Sequence, residues 1–78
     1  MFTIEFEFDA TVITLVDEGE GYLQEDVTID AFDECVTLTQ LDPTTDRVQK
    51  VTFSHAQLRE LAAALDLPEG AYRLKAKP

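Results

Sequence analysis

The chain has 78 residues, 45% of them hydrophobic, with three glycines, three prolines and 16 acids against six bases for a net charge of −10. That length argues for one domain over residues 1–78, without room for a large enclosed cofactor cavity, and the ordinary apolar fraction argues against disorder. No apolar run approaches the roughly 20 residues that cross a membrane, and the single Cys35 excludes an internal disulfide or a cysteine-rich zinc site.

The chain opens Met1-Phe2-Thr3-Ile4-Glu5-Phe6-Glu7. Acids stand where a signal peptide needs bases and an apolar block, so the expected location is the cytoplasm. Phe2, Ile4, Phe6 and Phe8 alternate with Thr3, Glu5 and Glu7. That period of two predicts a strand with an aromatic face toward the core and carboxylates in water. Asp9 and Ala10 form the expected turn. Thr11 to Val16 is rich in β-branched residues and predicts a second strand. Its apolar residues fall on both faces, with Val12 and Val16 on one and Ile13 and Leu15 on the other.

Asp17-Glu18-Gly19-Glu20-Gly21 is an acidic loop. Val27, Ile29 and Ala31 alternate with Thr28 and Asp30 in a third strand. Asp33-Glu34 is a tight turn, and Cys35 to Leu41 is a fourth strand. Asp42-Pro43-Thr44-Thr45-Asp46 has turn chemistry, with Asp at the first position and a preset Pro at the second. Arg47 to Phe53 returns as a fifth strand with Val51 and Phe53 on one face.

The period then changes. Leu58, Leu61, Ala62 and Leu65 stand at the spacing of an amphipathic helix. Ser54 and Gln57 have the pattern of a capping box, and Pro68 and Gly70 stop the helix. Ala71 to Ala76 has the pattern of a short basic strand, with Arg73 and Lys75 opposite Glu5 and Glu7. The fold class is therefore α+β: an antiparallel meander of four to six strands, then one C-terminal helix, about Ser54 to Leu65, packed on the sheet. The expected core is Ile4, Phe6, Phe8, Val12, Val27, Ile29, Val36, Leu38, Val51, Phe53, Leu58, Leu61 and Leu65.

Little in the sequence points to catalysis. His55 and Cys35 are single residues of their kind, read as an exposed first-turn residue and a small strand residue, and a dyad would require the fold to bring them together. Asp17, Glu18 and Glu20 offer oxygen ligands to calcium or magnesium, but their spacing does not match a calcium-binding loop. Asx-type hydrogen bonds explain Asp42 and Asp46. The expected protein is not an enzyme and carries no cofactor or metal.

Charge is the informative feature. Met1 to Asp46 holds 13 acids and no base, whereas Arg47 to Pro78 holds all six bases and three acids. The two parts carry −13 and +3. Phosphate backbones and anionic membranes repel such a chain; a basic protein partner suits it. The candidate contact residues are Glu5, Glu7, Asp17, Glu18, Glu20, Glu25, Asp26, Asp30, Asp33 and Glu34. One alternative is a phage-type inhibitor whose acidic row imitates DNA and occupies a nucleic-acid-binding protein. A small enzyme accessory or metal-binding domain is another. A salt-adapted surface would spread acids along the whole chain, against the change at Asp46. Single-strand nucleic-acid modules need basic and aromatic surface residues, which this pattern does not supply.

Counting faces adds an expectation of self-association. A helix of about three turns shields only part of a five-stranded sheet. An apolar second face, supplied by the two-sided second strand and by Phe32, would be covered in a symmetric homodimer or by curling of the sheet into a partial barrel.

Overall fold

A computed structural model describes residues 1–74. Five strands, β1 (Phe2–Phe6), β2 (Thr11–Leu15), β3 (Val27–Ala31), β4 (Val36–Asp42) and β5 (Arg47–Phe53), precede one helix, α1 (His55–Ala64). The strands form one antiparallel sheet in the order β1-β2-β3-β4-β5. This is the α+β meander expected from the alternation of β-branched and polar residues, because each strand is joined to the next by a connection short enough to return antiparallel.

The hairpins close as their residues dictate. Glu7 N–H donates to the Ala10 carbonyl at 2.9 Å, and Phe32 N–H donates to the Cys35 carbonyl at 2.9 Å. At the β4–β5 turn the Asp42 side chain accepts from Thr44 N–H at 3.0 Å, and its carbonyl accepts from Asp46 N–H at 2.8 Å. Asp46 takes φ 56° there, the left-handed conformation that Asp tolerates better than most residues.

α1 starts on a full capping box. Ser54 Oγ accepts from Gln57 N–H at 3.0 Å, while Gln57 Oε1 accepts from Ser54 N–H at 3.0 Å. The helix ends at Leu65, with Asp66 and Leu67 N–H turning back onto the Ala63 and Ala64 carbonyls. Ala71–Leu74 lie outside the sheet, and Lys75 and Ala76 lie outside the described residues. Among the described residues β1 pairs with β2 alone, so the expected pairing of Arg73 with the β1 carboxylates is absent.

Register sorts the side chains onto two faces. Five rows cross the sheet. One is Ile4, Ile13, Ile29, Leu38 and Val51, a single aliphatic residue from each strand. The rows two positions to either side share its face: Phe2, Leu15, Val27, Gln40 and Gln49, and Phe6, Thr11, Ala31, Val36 and Phe53. None of these fifteen residues is charged. The opposite face carries Thr3, Thr14, Thr28, Thr39 and Lys50, then Glu5, Val12, Asp30, Thr37 and Thr52.

The core departs from the sequence reading. Val36 is the one fully buried hydrophobic residue among those described, and Thr37 is buried beside it. Val12, Val27, Ile29, Leu38, Phe53 and Leu58 are half-buried, but Ile4, Phe6, Phe8, Val51, Leu61 and Leu65 are exposed. Alternation places the expected core side chains of the strands on a common face except Val12, which the register sets on the polar face between Glu5 and Asp30 while Ile13 takes the place beside Ile4; it does not supply anything to cover that face. The helix approaches the sheet at β5 and leaves most of its own leucine stripe in water. The radius of gyration is 14.8 Å, against about 11.5 Å for a compact chain of this length.

Candidate partner-binding surface

The strand directions divide the ten candidate carboxylates among three places. Asp17, Glu18, Glu20, Glu25 and Asp26 lie in the connection between β2 and β3, at the end of the sheet where β1 begins. Glu7, Asp33 and Glu34 lie in the β1–β2 and β3–β4 turns at the other end. Glu5 and Asp30 share the polar face, with Val12 of β2 between them, which sets them two strand spacings or about 9.6 Å apart. The ends of β1 are about 14 Å apart. That exceeds the screening length of about 8–10 Å at ordinary salt, so the two end groups act as separate fields. A single acidic sheet surface, as the sequence suggested, is replaced by one dense acidic loop and a few scattered acids. Sequence spacing does not reveal which strand ends point the same way.

The acidic loop is a built structure. Asp17 Oδ1 accepts from Gly19 N–H and Oδ2 from Gln24 N–H, both at 3.0 Å. These bonds stabilise the ionised form, so the Gln24 and Gly19 amides hold the Asp17 carboxyl below its ordinary value of 3.8. Gly21 takes φ 90°, a conformation that disfavours any other residue. The far end of the loop is fixed by Gln40 Nε2, which donates to the Glu25 carbonyl at 3.0 Å. The start is held by the Met1 amino group, 3.3 Å from the Val16 carbonyl and 3.7 Å from Glu18 Oε2. Asp17 therefore shapes the loop, and Glu18 faces the chain's own amino terminus. Glu20, Glu25 and Asp26 meet no cation among the described residues.

Beside this loop lies an open recess of about 300 Å³, lined by Gln24, Glu25, Gln40, Asp42, Pro43 and Gln49 among others. It joins the acidic loop to the β4–β5 turn. Asp42 was legible only as a turn residue; the pairing of β4 with β3 and β5 brings it alongside Glu25. Among the described residues no three His, Cys, Asp or Glu side chains stand close enough to share a metal ion, and no helix is long and apolar enough to cross a membrane.

His55 has a role that sequence reasoning missed. It is half-buried, and its Nε2 lies 2.9 Å from the Phe32 carbonyl and 3.2 Å from the Asp33 carbonyl. Two acceptors require Nε2–H to be the donor. The ring ties the first turn of α1 to the β3–β4 turn, 22 to 23 residues earlier. Its position beside the helix cap was the one available signal, and the partner is set by tertiary structure.

The chain belongs to the family described as Domain of unknown function (DUF8831), whose model matches residues 3–64. The match runs from β1 through the last residue of α1, so the meander and its helix together form the family's unit. No curated protein and no solved structure matches the chain.

Proposed function

We propose that this chain is a small, non-enzymatic interaction module of the cytoplasm that binds the basic surface of a protein partner. The observation that supports this reading is the acidic loop between β2 and β3. Glu20, Glu25 and Asp26 there lack a cation of their own among the described residues, and the loop borders the recess that Asp42 also lines. A lysine or arginine side chain of a partner entering that recess would meet the Gln24, Gln40 and Gln49 amides and two carboxylates. Rim charges of this kind act mainly on association rate and partner choice. Glu5 and Asp30 on the polar face, and Glu7, Asp33 and Glu34 at the far end, extend the field and lie outside the central contact.

The test is affinity capture from the source cell at about 0.1 M and about 1 M salt, over which the screening length falls from about 10 Å to about 3 Å. A captured partner is expected to be released by high salt. Joint reversal of Glu20, Glu25 and Asp26 to Lys should weaken capture at low salt more than reversal of Asp33 and Glu34. A partner retained at high salt and indifferent to reversal in the loop, and at Glu5, Glu7 and Asp30, overturns the acidic contact. Displacement of the partner by duplex DNA would instead identify the contact as a DNA mimic.

A further inference from the structure

We propose that the uncharged face of the sheet is the contact between two copies of this chain, which pair face to face, and that the folded state depends on that pairing. Three observations carry the inference. The first is the area left open. The chain exposes 6908 Å², whereas a compact chain of its 8.8 kDa exposes about 4,800 Å². The excess of about 2,100 Å² is well above the roughly 800 Å² per partner of a standard interface, so the face need supply only part of it.

The second is the chemistry of the face. Its fifteen paired positions hold no charged residue, although the chain carries 16 acids and six bases. The aliphatic row is open at both ends, with Ile4 and Val51 each 53% exposed. Phe2 is 65% and Phe6 is 86% exposed. A phenylalanine presents roughly 200 Å², so these two alone leave roughly 300 Å² of aromatic surface in water. With Ile4, Leu15 and Val51 the apolar side-chain surface left in water on this face reaches several hundred Å², the size of the largest patch of a typical soluble monomer, which is often functional.

The third observation selects a second copy as the occupant. With Val36 as its one fully buried hydrophobic residue among those described, the chain lacks an interior of its own. Whatever completes the interior has to be present whenever the chain folds, and another copy always is. The row of one aliphatic residue per strand is self-complementary about a two-fold axis. Two such faces pack about 10 Å apart as a β-sandwich. The charged pair that alternation adds to this face, Asp42 and Arg47, lies at its β4–β5 corner, so two chains of −10 each meet across the fifteen uncharged positions and their acidic loops stay at the periphery. This contact meets the acidic one proposed above at Gln40 and Gln49, which lie on this face and also line the recess; the chain's self-association is measured without a partner, so the two proposals stand or fall separately.

The test uses the full chain. Sedimentation velocity from about 1 to 100 µM should show a species of twice 8.8 kDa, and the thermal midpoint should rise with protein concentration, as linkage to association requires. Ile4→Lys places a charge in the contact at a position already open to water in the single chain. It is expected to weaken the dimer by at least about 100-fold. Thr3→Lys, next to it on the opposite face, should leave the dimer intact. If Ile4→Lys also unfolds, the concentration dependence of the wild type still decides. A monomer at 100 µM with a concentration-independent midpoint overturns the proposal, whether the sheet curls over itself or awaits a different protein. So does an assembly that keeps growing with concentration, the mark of edge-to-edge pairing, or equal association of the Ile4 and Thr3 variants.

Discussion

Replacing His55 with Ala isolates what holds the helix to the sheet. The Nε2–H donor is shared between two carbonyls, at 2.9 and 3.2 Å, so it counts as one hydrogen bond with a second, weaker branch. A neutral bond of this kind contributes about 0.5–1.5 kcal/mol net. The Phe32 and Asp33 carbonyls lie in a turn open to water. Losing the ring therefore adds no full burial penalty, only the contact of a half-buried side chain. The expected loss is about 1–2 kcal/mol, read from urea unfolding at one fixed protein concentration. The loss should also be local. α1 meets the sheet at β5 and through this clamp, so its amides should exchange faster in the variant while those of β2 and β3 change less. His55→Gln, which keeps a side-chain N–H donor, should recover part of the loss. A change below about 0.3 kcal/mol in the Ala variant, against the range expected for one bond, or equal acceleration of helix and sheet amides, would refute the clamp.

Ser54→Ala removes one arm of the capping box and should cost about 1 kcal/mol, seen as lower helicity by far-UV circular dichroism together with an earlier urea midpoint. Asp17→Asn should lower stability near neutral pH by weakening the bonds to the Gly19 and Gln24 amides. Because the folded carboxyl lies below its ordinary 3.8, its contribution is complete above that value and disappears as pH falls through the lowered one; the deficit of the variant should therefore shrink in acid. Unfolding of both proteins at pH 6 and pH 2.5 checks this, and a deficit equal at the two pH values contradicts it. Asp46→Gly should be neutral or stabilising by up to about 1 kcal/mol, and Asp46→Val destabilising by about 1–2 kcal/mol, because φ is 56° there. Thermal melts of the two variants at matched concentration give the sign.

Residues that act on near neighbours are readable from the sequence alone. β5 begins at Arg47 and ends at Phe53, and Ser54 with Gln57 caps α1, as their local chemistry requires. The Asp42 turn and the acidic loop after β2 likewise follow from Pro and Gly positions and from side chains that bond their own backbone. These features span a few residues, so short-range rules govern them. Alternation also fixed that Ile4, Phe2 and Phe6 share a face, since strand geometry has a period of two. It did not fix whether that face is covered. Burial depends on what approaches from elsewhere, and a ten-residue helix that meets the sheet mainly at β5 leaves the aliphatic row open at both ends. Only tertiary structure decided that the ten candidate acids of the negative half divide among the two ends of the sheet and its polar face. It alone brought Asp42 beside Glu25 and set His55 against the Phe32 and Asp33 carbonyls. Each of these relations joins residues more than fifteen positions apart, and such distances are set by which strands pair and in which direction they run.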